Sequence, residues 1–288
     1  MIHDFISSWS LFRDSYLAGW LMALLLPALG VLVVARDQIF VGAAVSQASL
    51  LGIACALRLI ALLGLASVPW LHADVVVATA AGIFAVLAAL LTAGGRARRG
   101  DSHESITGFV FLASASGAVL LMAHSPHGME EINRLLASTI IGATLSDVVL
   151  LLALLVTTAV VVARRSSELL LLVMDAEMAE AVGLRVARWN VGIAVWLGVV
   201  VGLSNRVAGA IFTFGCLVLP ALAARNLCRE VRTMFVVAPL LGLASAVIAF
   251  VLAHTLDYPP GQTTAFIQCL VLVAAWGVRS ARHAADKS

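Results

Sequence analysis

The feature that most constrains this chain is a series of apolar runs, each long enough to cross a lipid bilayer. A membrane-spanning helix needs about 20 consecutive apolar residues, and the chain is 62% hydrophobic and only 12% charged. The strands of a membrane β-barrel show apolar and polar residues in alternation over short segments. The runs here are continuous, and in lipid the backbone groups of a continuous apolar run are satisfied within a helix. The sequence therefore predicts an all-α, polytopic membrane helical bundle of about nine transmembrane helices, at residues 16–35, 39–65, 75–94, 106–123, 148–163, 191–203, 207–224, 235–253 and 264–278.

The positive charges predict the orientation of these helices. If nine successive helices cross the membrane in alternating directions, all but four of the 18 Lys and Arg side chains fall on one side of it. Because cytoplasmic loops carry an excess of positive charge, the N-terminus is predicted outside and the C-terminus in the cytoplasm. A miscount by one helix would destroy this division. The four side chains on the other side are Arg13, Arg58, Arg134 and Arg206.

Missing residue types argue against several functions. Lys287 is the only lysine, so the chain lacks a P-loop, and ATP hydrolysis would require a separate polypeptide. The chain is therefore predicted not to be an enzyme, and no cofactor is expected. Proton- or sodium-coupled carriers place acids or histidines deep in the membrane, whereas here these residues lie at helix ends or in loops. The net charge of +2 indicates contact with lipid headgroups, not nucleic acid, and four cysteines without a CxxC motif predict neither disulfides nor a thiolate metal site.

The longest predicted cytoplasmic loop, residues 164–189, contains a segment with the signals of a short helix, LLVMDAEMAEAVGLRVARWN. Asp175 is suited to cap a helix at its start, helix-forming residues follow, and Gly183 is suited to end it. The sequence thus predicts an amphipathic helix against the cytoplasmic face. Packing on lipid is one interpretation of this helix, and transmission of force from an ATP motor is the other.

Five stretches, in order, resemble the permease subunits of ATP-binding-cassette (ABC) importers for zinc, manganese and iron. The resemblance covers most of the chain and implies a single transmembrane permease domain over residues 1–288. Besides the loop, it is carried by RDQIFVGAAVSQASLLGIA, HESITG, RVAGAIFTFGCLVLPALAARNL and DYPPGQTT. In that family the loop helix docks into a separate ATPase subunit. The coupling residues implied here are Asp175, Glu177, Ala179, Gly183 and Leu184.

The resemblance also implies a location in a bacterial cytoplasmic (inner) membrane, a cargo and partners. The cargo is a divalent transition metal, with zinc as the first candidate and manganese, iron or a metal chelate as alternatives. The partners are a cytoplasmic ATPase subunit, a periplasmic metal-binding protein, a second copy of the permease or a homologous permease, and membrane lipid. An ATP-independent secondary transporter or channel is the alternative function, and a membrane scaffold that moves no cargo is a third.

Two features of the apolar runs suit helices that pack closely and bend. Pro220 lies inside a run and is expected to kink its helix, because proline frees a carbonyl group. Gly198 and Gly202, four residues apart, are expected to let two helices approach closely. Both features also occur in static bundles.

The second predicted helix departs from the family at its metal ligands. The family has an Asp just after a Gly and a His four residues later; aligned on Gly42, these positions are Ala43 and Gln47. Zinc, manganese and iron prefer carboxylate, imidazole or thiolate ligands, so both expected ligands are missing. Either the ion passes with weak neutral contacts, or a chelate is recognised through Ser46, Gln47 and Ser49. Bonding between helices is the alternative role of these three side chains.

Histidines near the predicted outer side are candidate metal contacts. MAHSPHGMEE places His124 and His127 three residues apart, and His72 and His254 lie at the outer ends of other helices. Together they are predicted to receive a metal ion from a binding protein, provided that the helix ends converge. Simple exposure to water is the alternative for each of them.

Overall fold

The computed structural model describes residues 9–62, 73–93, 103–123, 140 and 142–285. Every regular element in these ranges is a helix, which confirms the predicted all-α class. The helices are α1 (Trp9–Ala35), α2 (Ile39–Leu62), α3 (Ala73–Ala93), α4 (His103–Ala123), α5 (Leu145–Arg164), α6 (Ser166–Met174), α7 (Ala176–Ala181), α8 (Val186–Leu227), α9 (Val231–Leu256) and α10 (Pro260–Ala285).

Eight of the described helices are long and apolar enough to cross a membrane, one fewer than the nine predicted. The difference arises in α8, where two predicted segments join in one element of 42 residues. This element is interrupted at Gly209, whose φ of 75° and ψ of 171° are not helical and are open essentially only to glycine. The protein is therefore a multi-pass membrane protein. The predicted orientation needs an odd number of crossings, and so requires that the two parts of α8 cross separately.

Large apolar side chains cover the exposed faces of the spanning helices. On α4, Phe109, Leu112 and Leu120 are 72%, 64% and 68% exposed. A surface of this kind marks contact with another apolar phase, and lipid provides one around helices whose backbone groups are satisfied internally. These faces support the predicted contact with membrane lipid.

The chain folds into two compact units. In unit 1, α9 packs against α1 and α10, and α1 packs against α5; in unit 2, α2 packs against both α3 and α4. The helix α8 contributes its first part to unit 2 and its second part to unit 1. Unit 1 comprises Met1–Gln38, Ser138–Val186 and Ile211–Ser288, and unit 2 comprises Ile39–Ala137 and Ala187–Ala210.

Arginine side chains join several helix ends at one end of unit 1 through hydrogen bonds. Arg225 donates to the carboxylate of Asp37 at 2.5 Å and to the carbonyl oxygen of Val34 at 3.2 Å. Positive charge is favourable here, because the last carbonyl groups of a helix carry partial negative charge. The C-terminal ends of α1, α8 and α10 therefore lie together, as the division of charges predicted. Two further bonds join α10 to α8, from Arg279 to Asn226 and from Arg282 to the carbonyl oxygen of Leu227.

Glycines bring the helices of unit 2 into close contact, as predicted for Gly198 and Gly202. A Cβ atom on Gly202 would lie 2.7 Å from the Cα of Gly82, and one on Gly198 would lie 2.5 Å from the Cα of Val86. Real Cβ atoms do not approach backbone so closely, so α8 and α3 pack with no room for a side chain. The first part of α8 is thereby held against α3.

We expect Gly202→Ala to lower the melting temperature of the detergent-purified protein. The added methyl group would meet backbone that cannot rotate away, and overpacking of this kind costs about 1–3 kcal/mol. Gly192→Ala is the matched control, since it lies in the same helix with nothing within 4 Å of the added atom. Equal melting temperatures for the two variants would contradict the close packing of α8 on α3.

Candidate translocation and coupling sites

The helix predicted in the longest loop is present as α7, and Asp175 caps its start. The Oδ1 atom of Asp175 accepts hydrogen bonds from the backbone N–H groups of Glu177 at 3.0 Å and Met178 at 2.9 Å. These bonds satisfy two of the N–H groups that a helix start leaves without partners. The local sequence therefore determines where α7 begins.

A Schellman motif ends α7 at the predicted glycine. Gly183 has a φ of +92°, and its N–H donates to the carbonyl oxygen of Glu180 at 2.9 Å. The N–H of Leu184 donates to the carbonyl oxygen of Ala179, also at 2.9 Å. Ala179 itself is fully buried. This pair of bonds is the signature of the motif. All five predicted coupling residues thus take part in the hydrogen bonds at the ends of α7. Their role in coupling stays a prediction.

We expect Gly183→Val to loosen the end of α7. A β-branched residue in the left-handed region costs about 1–2 kcal/mol, which corresponds to about 5- to 30-fold faster amide exchange over residues 179–184. Gly183→Asn is the control, because asparagine tolerates this conformation. Hydrogen–deuterium exchange followed by mass spectrometry measures both. Identical exchange in the valine variant would show that the glycine is not needed for the motif.

Three of the exposed side chains in this loop are large and apolar. Met178 and Val182 are one helical turn apart and 54% and 68% exposed, and Met174, just before the capping residue, is 75% exposed. Glu177 lies exposed beside them. We call Met174, Met178 and Val182 the apolar strip. The sequence analysis missed it, although the spacing of four residues in an otherwise polar loop was visible.

The second candidate site lies on α2, inside unit 2. Ala43 and Gln47 are half-buried and one turn apart, which places them on one side of the helix as predicted. Ser46 and Ser49 are 1% and 0% exposed. Asn205 of α8, also 1% exposed, donates from Nδ2 to the carbonyl oxygen of Ser46 at 2.9 Å. Sequence reasoning missed Asn205, although a carboxamide in an apolar helix is a signal of the same kind as Gln47.

Within the described residues, the serine hydroxyl groups at this site form no hydrogen bond to another helix. The Oγ atoms of Ser46, Ser49 and Ser204, and Oδ1 of Asn205, are buried and have no hydrogen-bond partner within the described part of the chain. A buried polar group left in this state costs about 1–3 kcal/mol. For the two serines of α2, bonding between helices therefore does not account for the hydroxyl groups.

Comparison with known proteins tests the resemblance drawn from the five stretches. The model of the ABC 3 transport family matches residues 8–279. The chain belongs to the ABC 3 transport family. Because this match covers nearly the whole chain, it confirms the resemblance to permease subunits of metal ABC importers.

Individual relatives of this ABC 3 family protein agree in fold and length. A Thermotoga maritima protein described as a probable metal transport system membrane protein is 23% identical over 265 residues, which cover 92% of this chain and 88% of that protein. PsaBC from Streptococcus pneumoniae, solved in complex with a Fab, has a TM-score of 0.79 at 17% identity, over 96% of this chain and 95% of the other. An inward-facing transporter assigned to the metal-chelate type of ABC transporter has a TM-score of 0.71 at 16% identity, over 93% and 85%.

Of the four histidines predicted to contact metal in this ABC 3 family protein, one lies in the described ranges. His254 has its Nδ1 atom 3.3 Å from the hydroxyl of Tyr16, and its ring meets Phe12 edge-on at 6.2 Å. No group of three or more His, Cys, Asp or Glu that could hold a metal ion is present in the ranges that the structure describes. Metal contact stays a prediction for all four, and His72, His124 and His127 lie outside the described residues.

Pro220 and the cysteines of this ABC 3 family protein add little to either site. Pro220 lies within α8, whose one residue with non-helical backbone angles is Gly209, so a bend at Pro220 stays a prediction. All four cysteines are free thiols. Outside the spanning helices, burial raises the pKa of the Cys228 thiol while the charge of Arg282 opposes the shift. Cys228 is therefore a thiol at neutral pH and a poor metal ligand.

Proposed function

We propose that this protein is the membrane permease of an ABC importer that moves a divalent transition metal, or a complex of one, into a bacterial cell. The observation that carries the proposal is α7 with its apolar strip. In a chain of the ABC 3 family, this capped and exposed helix presents apolar side chains outside the spanning segments. A surface of this kind suits a protein partner better than water.

The partner that fits the apolar strip is a cytoplasmic ATPase subunit. The chain has no P-loop lysine of its own, and its distribution of positive charges favours the cytoplasmic side for the loop of α7. Asp175 and the Schellman motif at Gly183 keep α7 short and rigid. Movement of a partner bound to the apolar strip therefore displaces α7 as a unit, together with the helices that flank the loop. A second permease copy or a homologous permease, and a periplasmic metal-binding protein, complete the proposed importer in the inner membrane.

The proposed pathway runs along α2, beside Ser46, Gln47 and Ser49. The names of similar proteins support a metal or a metal chelate as the cargo. Zinc is the first metal to test, and manganese and iron are the alternatives. An ATP-independent secondary transporter or channel is disfavoured, because Asp, Glu and His in the sequence lie at helix ends or in loops.

The test is transport by the reconstituted complex. The tagged permease is purified together with the ATPase that binds it in its native host, and both are placed in proteoliposomes. We expect uptake of ⁶⁵Zn²⁺ only with ATP on the side of the ATPase, and none with a hydrolysis-deficient ATPase. Equal uptake by the permease alone would instead establish an ATP-independent transporter or channel.

A further inference from the structure

Unit 2 contains a cluster of neutral polar side chains in the interior of its helices. Ser46 and Ser49 lie three residues apart on one side of α2, and Ser204 and Asn205 are consecutive on α8. Each of the four is at most 1% exposed. The bond from Nδ2 of Asn205 to the backbone of Ser46, at 2.9 Å, joins the two helices at this point. We call these four residues the polar cluster.

The polar cluster differs from most buried hydroxyl groups in the described spanning helices. Thr213 of α8, which lies in unit 1, likewise has no partner within the described residues. Thr92 in α3 donates to the carbonyl oxygen of Ala88 at 2.9 Å, and Thr158 in α5 donates to that of Leu154 at 2.8 Å. Such a bond to the same helix is the ordinary way to satisfy a buried hydroxyl group. The three serines of the polar cluster lack it, and Oδ1 of Asn205 likewise has no partner among the described groups.

These free donors and acceptors have the chemistry of outer-sphere contacts. To displace water from a divalent transition metal, a site uses carboxylate, imidazole or thiolate ligands. In the described helices of unit 2, carboxylate and imidazole groups occur only in first turns, at Asp74, His103 and Glu104. Neutral hydroxyl and carboxamide groups instead bond the oxygen atoms and water molecules that already surround a metal.

We infer that the polar cluster is a specificity site for a divalent metal whose coordination sphere is already filled with oxygen ligands, as water or as a carboxylate chelate. This inference rests on the proposed function and adds Asn205 and Ser204 to the pathway. The serine hydroxyl groups donate to oxygen atoms of the cargo, and Oδ1 of Asn205 accepts from its water or hydroxyl groups. Since no protein atom binds the metal directly, transport does not follow the affinity order of the first-row metals.

The test is ATP-driven uptake by the reconstituted complex with two probes, ⁶⁵Zn²⁺ in a weakly coordinating buffer and ⁶⁵Zn²⁺ as its citrate complex. We expect Ser46→Ala combined with Ser49→Ala to lower uptake of the recognised probe about 5- to 30-fold, the effect of losing two net hydrogen bonds to the cargo. The melting temperature should stay or rise, because the two hydroxyl groups bond nothing in the resting protein. The probe that is affected identifies water or chelate as the source of the oxygen ligands.

Thr92→Val is the control, since it removes a buried hydroxyl group of unit 2 that its own helix already satisfies; its uptake should equal that of the wild type. Wild-type uptake of both probes by the double serine variant would overturn the inference and leave the proposed function intact. A preference of about 100-fold or more for ⁶⁵Zn²⁺ over ⁵⁴Mn²⁺ would also overturn it, because direct ligation produces such discrimination. If the wild-type complex accumulates neither zinc probe and takes up neither ⁵⁴Mn²⁺ nor ⁵⁹Fe²⁺ with ATP, the proposed function itself fails.

Discussion

Met178→Glu should lower ATP-driven uptake at least about tenfold while the permease stays folded. Met178 is 54% exposed at the centre of the apolar strip, so the substitution disturbs no internal packing. Burial of a methionine side chain in a partner is worth about 1.5–3 kcal/mol, and an unpaired carboxylate in its place is unfavourable as well. We therefore expect the ATPase to bind at least about tenfold more weakly. Co-purification of the ATPase and uptake by proteoliposomes measure the two effects.

Glu180→Gln is the matched control for this substitution. It also changes a charge on α7, but it lies about 200° around the helix from Met178, away from the apolar strip. This variant should retain the ATPase and transport normally. Normal binding and transport by Met178→Glu would contradict the assignment of α7 as the docking helix, whereas equal loss in both variants would show that the effect is not confined to the apolar strip.

The combined substitution Ala43→Asp and Gln47→His should create a metal-binding pair that the natural protein lacks. The two positions are one turn apart and half-buried on α2, so a carboxylate and an imidazole would face the same side. Zinc binds both groups well. We expect the purified variant to retain zinc after gel filtration, where the natural protein retains none. We also expect uptake at least about tenfold slower, because conduction requires sites that release what they bind.

Ala43→Asn with Gln47→Asn is the control for the double variant, since it adds comparable bulk without a strong ligand. Metal analysis of the gel-filtered proteins and the proteoliposome assay report on retention and rate. Zinc retained by the natural protein would contradict a pathway with neutral contacts. No retention by the Asp and His variant would show that the two positions do not face a common space open to the ion.

The sequence by itself determined the membrane class, the helices and the ends of α7. Apolar runs of bilayer length leave the backbone no alternative to helix in lipid. Asp175 and Gly183 act on atoms only a few residues away, so their effect on α7 was predictable without a fold. The same locality explains why the resemblance to the family was visible in short stretches that follow one another in order.

Only the tertiary structure decided which distant residues meet and which polar groups stay without partners. Asn205 and Ser46 are 159 positions apart in the chain, and no periodicity in either helix predicts their bond. Two predicted segments, 191–203 and 207–224, lie in the single element α8, which is interrupted at Gly209. The backbone conformation there is one that glycine permits but does not require. Whether a buried serine bonds its own helix, as Thr92 does, depends on side-chain rotation against neighbouring helices. For that reason the polar cluster emerged only when α2 and α8 were seen side by side.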